Sequence, residues 1–389
     1  MRLCKNAFRK LSLLLVLCSC FLAVPAQDSL YTKQIIKKLT SKEFLGRGYL
    51  NNGLDKASKY IASELKRWEA QPLFGTGYFQ WFDFNVNTFP GKMEVKINGK
   101  KLKPGEDFIV SPESGSLKGS FLPGKKDSIT YTSRQGEIPL VISLQRKLTF
   151  SVAHSAEPYC AIELLNKNQY VDIKTADVNI ENKVLTKYIN KNICAFIPGK
   201  INNDSVIVFT AHYDHLGGMG KTTYFPGAND NASGVSMLLN LVKYYGKNPP
   251  KYKTIFVFFA GEEAGLLGSK YFVEQNTIDL TKIKFLLNLD LLGTGDEGIT
   301  VVNATEFKSQ FDLIKKINDE KHYLPLVKPR GKAQNSDHYW FTEKGVPCFF
   351  IYTMGGIKAY HDIYDKAETL PLTKYKQIFK LITDFIESV

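Results

Sequence analysis

Residues 206–234 read VIVFTAHYDHLGGMGKTTYFPGANDNASG. The opening run Val206, Ile207, Val208, Phe209 and Thr210 is apolar or β-branched without alternation, the pattern of a short strand buried on both faces. His212 and Asp214 follow at once, and a Gly-rich loop leads to Gly227-Ala228-Asn229-Asp230-Asn231-Ala232-Ser233-Gly234. Beyond it Val235, Leu238, Leu239, Val242 and Tyr245 recur at helical spacing. Strand, polar loop and returning helix predict one unit of a parallel sheet. Its carboxyl edge, where open α/β sheets bind ligands, would carry an imidazole and carboxylates.

The same grammar extends downstream. Apolar strands are predicted at 194–197, 206–210, 254–260, 285–289, 299–302 and 347–352, with helical stripes between most of them. A last helix over 374–388 turns Ile378, Leu381, Ile382 and Phe385 inward. The fold class is α/β, a mostly parallel open sheet flanked by helices. Upstream, 28–70 reads as helical in two stripes, Ile35, Ile36 and Leu39, then Ala57, Tyr60, Ile61, Leu65 and Trp68. Leu45-Gly46-Arg47-Gly48-Tyr49 and Asn51-Asn52-Gly53 break the helix between them. From about 84 to 183 the texture changes to short strands. Alternation over 93–97 ends at Asn98-Gly99, a hairpin signal, and further strands are expected at 128–132 and 139–144. The expected organisation is therefore a leader over 1–26, a helical N-terminal part of the main domain over 27–84, a β-rich insertion over 85–185, and the main α/β domain proper over 186–389. His154, alone in the insertion, is expected to be structural.

The 389 residues carry a formal charge of +13. Residues 1–26 hold Arg2, Lys5, Arg9 and Lys10, a short apolar run over 11–24, and Val24-Pro25-Ala26 before Gln27. That is the layout of a secretory leader cleaved after Ala26, with an apolar run short of the ~20 residues that span a bilayer. Leu17-Cys18-Ser19-Cys20 offers a second reading, a lipoprotein leader acylated at Cys20. Either way the chain is expected to be exported, periplasmic or extracellular, with no transmembrane span. Without the leader's four basic residues the balance is 47 − 38 = +9, and the lysines are scattered, so no nucleic-acid groove is expected. Cys160, Cys194 and Cys348 remain, none in a CxxC pair; an odd count leaves at least one free thiol and assigns no disulfide. Oligomeric state is not legible.

Further predicted strands end in ligand-type groups. Gly261-Glu262-Glu263 follows 255–260, Asp290 follows 285–289, and Tyr360-His361-Asp362 follows 349–352 and a Gly-rich loop. His212, Asp230, Glu262, Glu263, Asp290 and His361 thus all lie past strand ends on one side of the sheet. Any one alone is more often a cap or a satisfied loop residue. Together, buried carboxylates repel and lose hydration unless they pair or bind a cation. Two imidazoles and three carboxylates suit zinc. Five ligands exceed one catalytic ion, which keeps an open position, and fit two ions sharing a carboxylate at roughly 3.5–4 Å separation.

AHYDH, PGANDNASG, GEEAGLLGS, NLD and YHDIYD resemble the motifs of zinc-dependent bacterial aminopeptidases of the leucyl aminopeptidase and aminopeptidase S type, in the superfamily of glutamate carboxypeptidase and the transferrin receptor. The stretch LGRGYLNNGLDKASKYIASEL is similar to one these enzymes carry ahead of the catalytic domain. The resemblance spans about 28–80 and 190–389. It implies two Zn2+ per chain and peptide substrates. Asp230 would bridge the ions, His212 and Asp290 complete one site, and Glu263 and His361 the other. Glu262 would be the general base, moving a proton from the bridging water to the leaving amine. Asp214 would orient His212, and Tyr360 matches a position where some members stabilise the oxyanion. The resemblance also implies a cis peptide at Asp230-Asn231. His215, Ser336, Asp337 and His338 resemble positions around the ligands or in the substrate wall, and Asp365 is expected to brace the loop holding His361. His322 has no visible role.

Three other functions compete. A glutaminyl cyclase has a similar fold but uses one zinc for acyl transfer. A carboxypeptidase of the same superfamily would need cations for a terminal carboxylate, for which Lys328, Arg330 and Lys332 are candidates. A binding module like the transferrin receptor ectodomain would have lost ligands. The complete ligand set disfavours the cyclase and the binding module, while the negative charge of Glu262, Asp230 and Asp290, which can accommodate an amine, and the motif resemblance favour an aminopeptidase over a carboxypeptidase, with leucine or another apolar residue first.

Overall fold

The structure, a computed structural model, describes residues 28–75, 77–134, 138–166 and 172–389. The leader expected at 1–26 lies outside them. Among the described residues no helix is long and apolar enough to cross a membrane.

The large sheet has nine strands: β1 (Gln71–Pro72), β2 (Phe79–Thr88), β3 (Lys183–Ile197), β4 (Val206–His212), β5 (Lys253–Phe259), β6 (Ile283–Leu289), β7 (Gly298–Val302), β8 (Val327–Pro329) and β9 (Cys348–Met354). Their order is β1-β3-β5-β4-β6-β9-β7-β8, with β2 also paired to β3. The centre, β5-β4-β6-β9, is parallel, while β3 and β7 run antiparallel to their inner neighbours. Helices α1 (Ser29–Leu39), α2 (Gly53–Arg67), α3 (Gly234–Lys247), α4 (Leu267–Glu274), α5 (Lys308–Lys321), α6 (His338–Glu343) and α7 (Tyr375–Ser388) complete the architecture.

Every residue of β4 is buried, as its unbroken apolar run requires. Successive side chains point to opposite faces. Ile207, Phe209 and Ala211 join one core with Ile35, Ile61, Leu238 and Phe385 from helices on that face. Val206 and Val208 join another with Phe272 of α4 and Phe341 of α6. The helix starts follow local chemistry too. The Asp28 carboxylate caps α1 by accepting from Tyr31 N at 3.0 Å. In α7 the stripe Ile378, Leu381, Ile382 and Phe385 is buried, and Phe385 lies edge-on to Phe285 at 5.2 Å. Burying such a side chain contributes about 1.5–3 kcal/mol.

Between β2 and β3 lies a β-rich unit with its own core, including Val95, Phe108, Ile142, Ile162 and Val178. It comprises a five-stranded and a four-stranded sheet. Asn98 and Gly99 both take positive φ, and Met93–Ile97 turns back onto Lys100–Lys101, as a two-residue hairpin loop demands. The expected strands at 128–132 and 139–144 form as Thr130–Ser133 and Leu140–Gln145. One difference concerns the boundaries. β2 and β3 pair from Phe79↔Ile193 to Lys183↔Thr88, so the large sheet extends as a ribbon across both expected boundaries, 84/85 and 185/186. The mixed run over 183–192, with Val184 and Ile189 exposed, hides this, because only one side of such a ribbon needs apolar residues.

Cys160, Cys194 and Cys348 are free and buried. Burial pushes the Cys160 thiol up to about 12 and the Cys348 thiol up to about 11.

Candidate metal centre

His212 is the last residue of β4, and Asp290 directly follows β6. The loop 227–234 brings Asp230 to them because its small polar side chains bond the chain beyond β6. Asn231 Nδ2 donates to Leu289 O at 3.0 Å, and Ser233 Oγ and Asn229 Oδ1 accept from Leu292 N and Gly293 N, both at 2.8 Å. A Cβ at Gly234 would lie 2.4 Å from Leu289 O, so only glycine permits this approach. The Asp230-Asn231 peptide is cis.

Asp230 stands between two imidazoles. Its Oδ1 is 3.4 Å from His212 Nε2, and its Oδ2 is 3.1 Å from His361 Nε2. His212 Nε2 is also 3.4 Å from Asp290 Oδ2, and His361 Nε2 is 3.2 Å from Glu263 Oε2. The structure thus brings together His212, Asp230, Glu263, Asp290 and His361. His212, Asp230 and Asp290 present ligand atoms within 4.8 Å of one another, and so do His212, Glu262 and Glu263. A third such trio is His215, Asp230 and Glu263. It differs from the sequence expectation by including His215, whose Nδ1 is 2.6 Å from Glu263 Oε1.

The surrounding groups explain these positions. Asp214 Oδ1 is 3.7 Å from His212 Nδ1 and accepts from Glu262 N at 3.3 Å. The Tyr49 hydroxyl donates to its other oxygen at 3.3 Å. Gly261 takes φ +71° and lets the Glu262-Glu263 turn sit on the Phe84 ring, which a Cβ would meet at 2.9 Å. His361 also adopts a positive φ, and its Nδ1 lies 3.1 Å from Phe150 O. Tyr360 stacks on the His361 ring at 4.0 Å and is 44% exposed. Asp337 and His338 are buried; Asp337 heads α6 and His338 packs on Phe350 at 5.3 Å. Asp365 sits in the loop that carries His361 and reaches across to the Asp230 segment. It accepts from Asn229 N at 2.8 Å and Asp230 N at 3.0 Å, so it ties its own loop to the Asp230 segment. His154 Nδ1 lies 3.1 Å from Asn85 O, and His322 ends α5 in a left-handed conformation.

Arg47, which sequence reasoning passed over as part of a helix break, is fully buried beneath the site. Its guanidinium donates to the carbonyls of Leu39, Tyr213, Pro226, Gly227 and Asp230 at 2.7–3.2 Å. Burial lowers it to about 10 against the opposing pull of Asp230, Asp365, Asp214 and Glu263. An arginine set among glycines in an otherwise apolar stretch was the one local signal of this role.

Burial and charge pull the site's titrations apart. Burial, opposed by His212 and reinforced by Glu263, Asp337 and Asp290, pushes the Glu262 carboxyl well above the ordinary range. For Glu263, burial and Asp230 are outweighed by His361 and His215, which hold it at about 2. Burial works against the proton on His361, but Glu263 and Asp230 raise it to about 11. Burial raises Asp337 to about 7 against the pull of His212. Among the described residues, Asp290 Oδ1 and His215 Nε2 are buried without a hydrogen-bond partner. Orphaned acceptors in a cluster of carboxylates and imidazoles fit a divalent cation, and the mixed nitrogen and oxygen donors suit zinc.

Residues 192–386 match the family model described as Peptidase family M28. Aminopeptidase YwaD of Bacillus subtilis (strain 168) is 26% identical over 277 residues, 68% of this chain and 57% of that protein. The chain therefore spans less than two thirds of this relative's length. Two solved structures share the fold. A zinc aminopeptidase, BSAP, from Bacillus subtilis superposes with a TM-score of 0.68 at 19% identity over 94% of this chain and 95% of its own. A glutaminyl cyclase from Bacteroides thetaiotaomicron gives 0.52 at 15% identity over 94% and 99%.

Proposed function

The chain belongs to peptidase family M28, and on that premise we propose that it is an exported aminopeptidase that uses two zinc ions to hydrolyse the first peptide bond of its substrates. The observation that carries the reading is Asp230, which offers one carboxylate oxygen toward His212 and the other toward His361. In this reading Asp230 is shared, His212 and Asp290 complete one site, and Glu263 and His361 the other. When bound, the ions polarise the scissile carbonyl and acidify a water.

The chain's own groups do the rest. Glu262 takes a proton from the attacking water and returns it to the leaving amine; a carboxyl pushed upward by burial and its acidic neighbours is suited to both transfers. Asp214 fixes the orientation of His212, and His215 that of Glu263. Tyr360, at the exposed rim beside His361, would face the developing oxyanion. The β-rich unit packs on the loops that carry the site. Phe150 stacks on Phe225 at 4.7 Å, and Ile363 packs against the unit's core. We read this unit as limiting access, with the catalytic domain formed by the rest of the chain. Export rests on residues 1–26.

The fold alone does not choose between an aminopeptidase and a cyclase, since both share it. A carboxypeptidase would need a cation in reach of the metals. Arg330 instead donates to the Tyr352 hydroxyl at 3.1 Å, and Lys332 pairs with Glu343. The test compares a leucine-initiated peptide, its N-acetyl form and its C-terminal amide. The free peptide and the amide should be cut and the acetylated form spared; cleavage of the acetylated peptide with resistance of the amide would instead make the enzyme a carboxypeptidase.

A further inference from the structure

The loop that carries His361 is held by a segment of the β-rich unit. Lys147 Nζ donates to Lys358 O at 3.0 Å and to Tyr360 O at 2.9 Å, and lies 3.3 Å from Asp362 Oδ2. Asp362 in turn accepts from Tyr364 N at 2.9 Å. Three residues on from Lys147, Phe150 N donates to His361 O at 2.9 Å, and Phe150 O lies 3.1 Å from His361 Nδ1. A carbonyl oxygen only accepts, so this contact places a proton on Nδ1. Nε2 is the atom turned to Asp230 Oδ2 and Glu263 Oε2.

We infer that Lys147 and Phe150 are positioning residues for His361: Lys147 fixes the loop through two of its carbonyls, and the Phe150 peptide sets which imidazole nitrogen faces the metal centre. This rests on the reading of His361 as a ligand. It gives the β-rich unit a part in the chemistry beyond shaping access. Groups that orient a ligating histidine from behind are worth about 10–100-fold in metal affinity. The orientation here reaches one half of the centre only. His212 has its own support from Asp214.

The decisive variant is Lys147→Ala. Lys147 is half-exposed, so its removal leaves no void in the core. Zinc is titrated into the chelator-treated full chain and followed with a competing chromophoric chelator. The expected result is that the first zinc binds as in the parent while the second weakens by about 10–100-fold, and that Lys147→Arg, which can still donate to both carbonyls, restores it. Nitrogen-15 NMR of the zinc-loaded parent should show the single His361 proton on Nδ1. Equal affinity for both ions in Lys147→Ala, equal loss of both, or a proton on Nε2 would overturn the inference. Peptide cleavage is scored separately. A split in zinc binding in Lys147→Ala, with a parent that cuts no peptide, would support this inference and sink the peptidase reading.

Discussion

His212 and Asp290 stand at the ends of β4 and β6, two neighbouring parallel strands, and both are buried. Glu263 and His361 sit on loops. His361 takes a positive φ, and the backbone of a different folding unit holds its imidazole. On the proposed reading, one half of the centre is thus a by-product of sheet geometry, while the other is assembled from tertiary contacts, and the difference suggests how Asp230 could be shared. Asp230 is fixed from the sheet side through Asn229, Asn231 and Ser233, and from the loop side through Asp365. Arg47 lies beneath both halves.

The sharpest contrast lies within Glu262-Glu263, adjacent residues that the account gives different work. Glu262→Gln should lower kcat by about 10²–10⁴-fold with zinc content unchanged. Glu263→Gln should lose zinc first, and from the His361 half alone. Steady-state kinetics beside elemental analysis separates the two, and loss of zinc from Glu262→Gln would make Glu262 a ligand.

Arg47 supplies the control for that asymmetry. Arg47→Met strands several buried carbonyls, each costing about 1–3 kcal/mol. The denaturation midpoint should therefore fall by the equivalent of ~3 kcal/mol or more, and both zinc affinities should drop together. A loss confined to one ion would show that Arg47 serves only one half.

The strands at 206–210, 254–260 and 285–289 were readable because strands buried on both faces need unbroken apolar runs. They form as Val206–His212, Lys253–Phe259 and Ile283–Leu289. Residues placed directly after them, His212 and Asp290, inherit that legibility. His361 was readable less directly, as a residue past a strand end and a Gly-rich loop and through its motif, and its supports were not readable at all. Phe150 contributes a peptide group, which any residue could supply, and Lys147 acts across more than two hundred residues of sequence. Arg47 bonds carbonyls from three separate segments, a pattern without local periodicity. Asp365 was expected to brace the loop holding His361, but the backbone N–H groups it bonds, those of Asn229 and Asp230, are ones that only the fold brings near.

A smaller effect concerns protons. His212 is raised well above its ordinary value, with Glu262 and Asp290 overcoming the effect of burial, and His361 reaches about 11. In the chelator-treated chain both imidazoles therefore carry protons at neutral pH. Raised folded values stabilise that form fully below about pH 6.5 and lose their effect as pH rises toward about 11. A ligating imidazole must give up its metal-facing proton, so zinc affinity should rise with pH, and filling both sites should release about two protons. Calorimetry in buffers of different ionisation enthalpy measures that number for each half. Release at only one step would mean that the two halves are charged differently.

The central claim is that two ions share Asp230. It is tested most directly by the zinc content of the purified chain beside that of Asp230→Ala, after dialysis against metal-free buffer. The account predicts two zinc ions per chain in the parent and, with the shared carboxylate gone, weakened retention of both. A parent with a single ion, or an Asp230→Ala chain that keeps one at full affinity, would contradict it.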